Sequence, residues 1–377
     1  MDNKLFQEFP EVSTIAWEKI IQEDLKGADY EKKLIWKTNE GIAVKPYYRS
    51  EDIKAKPLTS ALPGSFPYLR GTTLSGNSWL ICQDIISDSL KKANQAATAA
   101  INNGATAVSF SGIIIKNTKD ISELLNGIDP QNVTIQIITA ADPTSIINAL
   151  SEYCKEKKHD TGKINCSVLY DVLGQLSVRG EFIKSEKEDI NSIADAAKTG
   201  IGKQFAVRTI AVNGTIFKDS GSTVVQELAY SLSMANDYMS ILTDNGITPD
   251  QASGSIQFVF AAGSNFFFEI AKLRAFRVLW AKIAEAHNVS ADAAKARIHT
   301  VTGNWNKTLY DPYVNMLRTT TEAMSAVIGG TDSLSVKPYN AGYQETNAFT
   351  ERIARNIQII LKEEAGFGKI ADPSGGS

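Results

Sequence analysis

Between Ser255 and Ala261 the chain reads Ser-Ile-Gln-Phe-Val-Phe-Ala, a β-prone run in which exposed and apolar positions alternate, and it predicts one short strand. Ala262-Gly-Ser-Asn265 breaks that pattern, and Ser264 or Asn265 can accept bonds from the first free amides of a helix. From Phe266 to Glu285 the period becomes helical. Ile270, Leu273, Phe276, Trp280 and Ile283 recur at three- and four-residue steps, and Glu269, Lys272, Arg277, Lys282 and Glu285 are expected on the opposite, solvated side. One strand-turn-helix unit cannot bury its own apolar face, so its repetition decides the fold.

The unit recurs from Trp79 onward. Strands are predicted at 80–83, 107–115, 133–138, 165–170, 206–212, 255–261, 297–302 and 334–336. Helices follow at 88–103, 121–126, 143–155, 186–198, 223–244 and 266–285, then from Asp311-Pro312 to Gly329-Gly330, and from 347 to 364. Eight such units with short connections match a closed (β/α)8 barrel. A doubly wound open sheet fits less well, because its first turn carries phosphate-binding glycines and here that turn is Asp84-Ile-Ile-Ser-Asp88. Residues 1–79 differ: a short helix from Trp17 stopped by Gly27, two extended pieces around Asn39-Glu-Gly41, then Pro46, Pro57, Pro63 and Pro67 along an extended arm with little core of its own. The expected organisation is an arm at 1–79, suited to wrapping a partner subunit, and a barrel at 80–377.

Composition narrows the function. The 377 residues are 43% hydrophobic and 21% charged, which suits a full core, and the 39 basic and 42 acidic residues are dispersed rather than gathered into a basic block. Nucleic acid is therefore not an expected partner. Lys155 to Lys158 with His159 reads as the end of a helix. There is no signal-like start and no apolar run of membrane-spanning length, and Cys82, Cys154 and Cys166 share neither a disulfide framework nor a metal-ligand spacing. A cytoplasmic protein without a metal or membrane is the expectation.

In a barrel the pocket lies where the strands end, so titratable groups in those turns matter most. The inventory is thin. Cys82-Gln83-Asp84 ends the first strand, and Asp84 is either a general base or, more readily, the cap of the next helix. Asn213-Gly-Thr215-Ile216 follows the fifth strand without histidine or tyrosine. His299 lies on the seventh strand, where a lone histidine is more often packed than catalytic, and His287 closes the sixth helix. Asp332 and Ser335 near the eighth strand lack an obvious partner. No Ser-His-Asp set, zinc-binding histidine pair or phosphate loop is present.

Several longer stretches carry a resemblance. Trp17 to Ile42 with Val44-Lys-Pro-Tyr47, Phe66-Pro-Tyr-Leu-Arg-Gly71, Phe266 to Ala275, Asp311-Pro-Tyr313, Arg318-Thr-Thr320, Ala326 to Leu334, Arg352 to Gln358 and Asp372 to Ser377 resemble the methylmalonyl-CoA mutases over essentially the whole chain. The resemblance implies a (β/α)8 barrel threaded along its axis by an acyl-CoA tail. It also implies a radical rearrangement driven by adenosylcobalamin, which a separate C-terminal flavodoxin-like domain holds through an Asp-Xaa-His-Xaa-Xaa-Gly motif. That motif and domain are not found in this chain, whose 377 residues are either the whole or a fragment of a longer subunit.

The departures from the family pattern lie at the strand ends. Where catalytic members read Trp-Thr-Ile-Arg-Gln-Tyr, this chain reads Trp79-Leu-Ile-Cys82-Gln83-Asp84; where they read Ser-Gly-Tyr-His, it reads Asn213-Gly-Thr215-Ile216. His-Thr-Gln-Thr becomes His299-Thr-Val-Thr302, and Gln-Ser-Leu-His becomes Asp332-Ser-Leu-Ser335. The expectation is a non-catalytic small subunit of a heterodimeric mutase. It has no catalytic residue and binds no cofactor alone, and it partners a large subunit that carries the adenosylcobalamin. Arg70, Gln83 and His299 are the residues of a vestigial CoA pocket, with weak acyl-CoA binding. The alternatives are a diverged barrel enzyme or binding protein for another acyl-CoA, built on Cys82, Asp84 and His299, and a homodimeric scaffold.

Overall fold

Eight parallel strands close on themselves: β1 (Leu80–Ile86), β2 (Ala107–Ser111), β3 (Thr134–Ile138), β4 (Asn165–Tyr170), β5 (Ala206–Asn213), β6 (Ile256–Ala262), β7 (Ile298–Thr302) and β8 (Ser333–Ser335). The structure, a computed structural model, describes residues 9–53, 61–203 and 206–375. Each strand pairs with the next, and β8 closes the ring by pairing Ser333 with both Leu80 and His299, and Ser335 with both Cys82 and Val301. The principal helices follow in order: α1 (Leu90–Asn102), α2 (Thr118–Leu124), α3 (Pro143–Glu156), α4 (Glu186–Ile201), α5 (Val224–Asp244), α6 (Phe266–Ala286), α7 (Val314–Ile328) and α8 (Ala348–Ile359). Short extra helices at Val172–Arg179, Thr215–Asp219 and Pro249–Gly254 decorate the connections. The eight repeats read from hydrophobic periodicity are all present, and they form the closed barrel.

Helix starts are fixed locally. Ser89, Asn117, Asp142, Ser185, Thr223, Asn265 and Asn347 each accept a backbone N–H of the first turn. Asp84 therefore does not cap α1; Ser89 does, and Asp84 stays within β1. Asp311-Pro312 also falls outside its expected role. α7 begins at Val314 behind Tyr313, which makes no side-chain cap, and Asp311 and Pro312 form the turn before it.

The core lies between the outer faces of the strands and the helices. Phe258 and Phe260 of β6 meet Phe276 and Trp280 of α6, with ring centroids 4.6 to 4.9 Å apart in edge-on arrangements. Each such pair adds about 0.5–1.5 kcal/mol beyond the area it buries. β6 is buried nearly throughout, so the polar position Gln257 faces the barrel interior rather than solvent.

On α6 the expected solvated side is only half correct. Lys282 and Glu285 are exposed, but Glu269, Lys272 and Arg277 are buried because α5 and α7 cover both flanks of the helix. Each buried charge has partners. Lys272 Nζ donates to Glu227 Oε2 at 2.8 Å and to Ala261 O at 2.5 Å, and lies 2.5 Å from Glu269 Oε2. The Arg277 guanidinium donates to the carbonyls of Leu273 at 3.1 Å and Gly329 at 2.9 Å, and to that of Gly330.

The chain divides into two compact units, Met1–Thr59 and Ser60–Ser377. The boundary falls about twenty residues earlier than the pattern predicts, because residues 61–79 pack on the barrel unit. The Tyr68 ring is buried in the core with its hydroxyl donating to Ala291 O, and Asn77 Nδ2 donates to Val327 O at 2.5 Å. Within the first unit, the helix Thr14–Asp24 is followed by Gly27 at φ 86°, and Trp36–Lys37 pairs antiparallel with Ala43–Val44 as expected. A short helix, Ser50–Ile53, interrupts the proposed extended arm. Pro57, Gly376 and Ser377 lie outside the described residues. No helix among the described residues is long and apolar enough to cross a membrane.

Candidate functional site

Side chains alternate along a strand, so every second residue enters the barrel. On β1 these are Leu80, Cys82 and Asp84; on β7, His299; on β8, Ser333 and Ser335. The opposite wall brings Gln136 of β3, Ser167 of β4 and Gln257 of β6, all buried. Ser167 Oγ donates to Gln257 Oε1 at 3.1 Å, and Gln257 Nε2 donates to Gln136 Oε1 at 3.4 Å. These bonds link the inner faces of β6, β4 and β3 in one buried polar network. Nearer the N-terminal end, Arg208 Nη1 donates to Asn165 Oδ1 at 3.3 Å, and burial brings the guanidinium down to about 10.

The side of the barrel where β1, β7 and β8 meet holds a compact cluster. A ligand atom from each of Cys82, Asp84 and His299 lies within 4.8 Å of the other two. Ser335 Oγ donates to Asp84 Oδ1 at 2.7 Å, and His299 Nδ1 is 2.8 Å from Ser333 Oγ. Burial, with the charge of Asp84 adding to it, pushes the Cys82 thiol well above its ordinary range. Burial also holds the His299 imidazole below its ordinary value, against the pull of Asp84. The site is therefore a buried thiol, a carboxylate and a neutral imidazole, with a serine orienting each of the last two.

The expected CoA residues are not gathered. Gln83 lies on the outer face of β1, where its Oε1 accepts from Arg355 Nη1 of α8 at 3.3 Å, so it and His299 face opposite sides of the barrel wall. Arg70 is at the N-terminal end, its Nε donating to Asp372 Oδ2 at 2.8 Å, and Arg274 binds the other oxygen of the same carboxylate. Beside it Gly71 and Thr72 enter the lining of a cavity of about 320 Å³, together with Leu80, Asn165, Arg297 and Asp332. Thr215 Oγ1 donates to Asn213 Oδ1 at 2.7 Å, and Ile216 is half-buried at the start of a short helix, so neither altered position at the strand-five end supplies an acid or a base. The sequence groups Cys82, Asp84 and His299 only as residues of an altered barrel mouth; that their ligand atoms converge depends on β8 closing the ring between β1 and β7.

Architecture and interior together define a parallel (β/α)8 barrel protein with polar side chains hydrogen-bonded across its interior and a buried Cys-Asp-His group at the closing seam. Sequence comparison specifies the class further. The chain belongs to the methylmalonyl-CoA mutase family, whose profile matches residues 37–111 and 107–377. It is 41% identical over 99% of its length to the methylmalonyl-CoA mutase small subunit of Porphyromonas gingivalis, covering 60% of that protein. It is 30% identical over 96% of its length to the methylmalonyl-CoA mutase of Cereibacter sphaeroides, covering 55% of it, and 28% identical over 98% to the methylmalonyl-CoA mutase large subunit of Streptomyces virginiae, covering 54%. The chain thus spans a little over half the length of these relatives.

The residues present do not fit a cobalamin lower ligand. The chain has three histidines. His159 Nδ1 is 3.2 Å from Gln131 Nε2 beside Asp129, His287 caps α6 with Nε2 2.9 Å from Asn236 Oδ1, and His299 is inside the barrel. None stands in an Asp-Xaa-His-Xaa-Xaa-Gly sequence.

Proposed function

We propose that this chain is a non-catalytic small subunit of an adenosylcobalamin-dependent methylmalonyl-CoA mutase, which interconverts methylmalonyl-CoA and succinyl-CoA, and that it supports a large subunit carrying the cofactor and the chemistry. The observation that carries this reading is whole-chain similarity to a protein named as a mutase small subunit, joined to the altered strand ends at Cys82, Asp84, Thr215 and Ile216. Losing one contact made in the transition state typically costs about 10²–10³ in rate, so several losses together are incompatible with ordinary turnover.

Association with a partner has its own support. The helix Thr14–Asp24 buries none of its residues, and Ile15, Trp17 and Ile20 are exposed along it. Trp305, Leu309, Tyr310, Tyr313 and Leu317 form a second exposed apolar group around the start of α7. Large apolar side chains exposed close together in the chain suit an interaction surface.

The test is co-expression with a catalytic large subunit from the same source, followed by co-purification and mutase assay with and without each chain. The expected result is a stable pair, with turnover that depends on the large subunit. Turnover of an acyl-CoA by this chain alone, with cobalamin added, overturns the reading in favour of a diverged enzyme; self-association without binding the large subunit makes it a scaffold. A second reading, weak acyl-CoA binding, rests on the cavity between Gly71 and Arg297 at the N-terminal end of the barrel. Because the Arg70 guanidinium is already committed to Asp372, calorimetry should find weak binding, and Arg70→Ala should weaken it further.

A further inference from the structure

We propose that Cys82, Asp84 and His299 form a site inside the barrel for a zinc-class divalent cation, with the fourth coordination position open to the interior. The proposal goes beyond the small-subunit role and does not depend on it. Among the described residues this is the single set of three or more His, Cys, Asp or Glu side chains whose ligand atoms converge in this way. Adjacent strand pairing holds it together: β8 lies between β1 and β7, with Ser335 opposite Cys82 and Ser333 opposite His299.

The distances suit a metal. Zinc–ligand bonds of about 2.0–2.3 Å place tetrahedral ligands roughly 3.5 Å apart, so three atoms already within 4.8 Å close on an ion by side-chain adjustments of about 1 Å. The surrounding contacts are also those of a ligand set. A metal-binding histidine ordinarily engages a hydrogen-bond partner through its other nitrogen, and His299 uses Nδ1 toward Ser333, which leaves Nε2 as the ligating atom. A ligating carboxylate is itself hydrogen-bonded, and Asp84 Oδ1 accepts from Ser335, which leaves Oδ2.

Donor chemistry selects the ion. One thiolate, one imidazole and one carboxylate favour zinc over magnesium or calcium, which take oxygen donors. Three protein ligands rather than four are the pattern of sites that keep an exchangeable water. The cation also resolves the electrostatics of the cluster. On binding, the Cys82 sulfur loses its proton to solvent and becomes a thiolate, and two anionic ligands then neutralise the divalent charge in a buried place. Affinity should therefore rise with pH, and binding should release a proton.

The experiment uses the full chain, stripped with a chelator and then titrated with Zn²⁺ or Co²⁺. Wild type is expected to retain one equivalent through gel filtration, to release a proton, and to show the near-ultraviolet thiolate-to-cobalt band. Cys82→Ser should abolish the band, Ser333→Ala should weaken affinity by about 10–100-fold, and Cys166→Ser, on the outer face of β4, should change neither. Should Cys82→Ser fail to fold, Asp84→Asn and His299→Gln each predict a loss of retained metal with circular dichroism unchanged. Metal lost on gel filtration, several weak equivalents, a band surviving Cys82→Ser, or equal loss in Cys166→Ser overturns the proposal. Large-subunit association, measured separately, distinguishes failure of this site from failure of the small-subunit reading.

Discussion

Replacing Lys272 with methionine isolates what the buried charges around α6 contribute. The Lys272 side chain is 1% exposed, and those of its partners Glu227 and Glu269 are 0% and 2%. Burial alone would lower the ammonium; the charges of the two glutamates reverse this and hold it above the ordinary lysine value. Methionine keeps the volume and removes the cation, leaving Glu227 with one backbone donor, Ala261 N at 3.2 Å, and Glu269 with Lys218 Nζ at 3.6 Å. Breaking a buried pair in this way costs about 3–5 kcal/mol, a large part of a total of about 5–15 kcal/mol. At roughly 2.1 cal/mol/K per residue of unfolding entropy over the 377 residues, that is a fall in Tm of roughly 4–6 °C. The loss should depend on pH with a definite sign. Burial raises the Glu227 carboxyl in the folded chain even with Lys272 present, and without it the carboxyl rises further. A raised folded pKa means that the folded state binds the proton more readily, so the penalty is greatest at neutral pH and shrinks as pH falls toward the ordinary glutamate range. Denaturant unfolding at pH 7 and pH 5 measures both quantities. A deficit under about 1 kcal/mol at pH 7, or one that does not shrink at pH 5, refutes the view that these charges are mutually required. Adding Glu227→Gln and Glu269→Gln to Lys272→Met should restore much of the lost stability, because the buried charges then vanish together.

Other predictions concern proton and thiol chemistry elsewhere. Burial raises Asp171 to about 6, while its Oδ1 accepts Gly174 N at 2.9 Å and the Tyr238 hydroxyl at 2.9 Å. Because the folded pKa lies above the unfolded one, this group adds stability below about pH 4 and loses it as pH rises through about 6; Asp171→Asn should flatten that part of the stability–pH curve. Unchanged curvature in Asp171→Asn assigns it to another group. All three cysteines are buried and free, with Cys154 raised by burial to about 11 and Cys82 and Cys166 pushed higher. A thiol reagent at pH 8 should leave the native metal-free chain unmodified and titrate three thiols in denaturant; rapid labelling of native Cys82 contradicts its burial. Arg70→Ala should cost about 1–2 kcal/mol in urea unfolding rather than a full buried-pair penalty, because Arg274 still meets Asp372. A larger loss makes Arg70 the main anchor of the C-terminal segment.

The barrel was legible in the chain because both of its periods are local. A strand shows itself within seven residues and a helix within two turns, and short polar breaks such as Ala262-Gly-Ser-Asn265 separate them. What each polar residue faces is not local. Gln257, Glu269, Lys272 and Arg277 read as solvated positions, because a sequence shows only that they lie away from the apolar stripe. Whether that side meets water or a neighbouring helix depends on α5 and α7, which flank α6 only in the closed ring. The same limit explains Gln83 and Asp84. Adjacent in the chain, they point to opposite sides of the β1 wall, one to Arg355 and one to Ser335.

The sequence by itself determined the eight strand-helix repeats, the Asn265 cap of α6, and the absence of histidine and tyrosine from the turn after strand five. The tertiary structure decided that residues 61–79 belong with the barrel, that Gln136, Ser167 and Gln257 hydrogen-bond to one another inside it, and that the ligand atoms of Cys82, Asp84 and His299, grouped in the sequence only as residues near strand ends, converge in one buried place. The physical reason is range. Periodicity and capping are written in neighbours along the chain, whereas a site at the seam of a barrel exists only after β8 hydrogen-bonds to both β1 and β7.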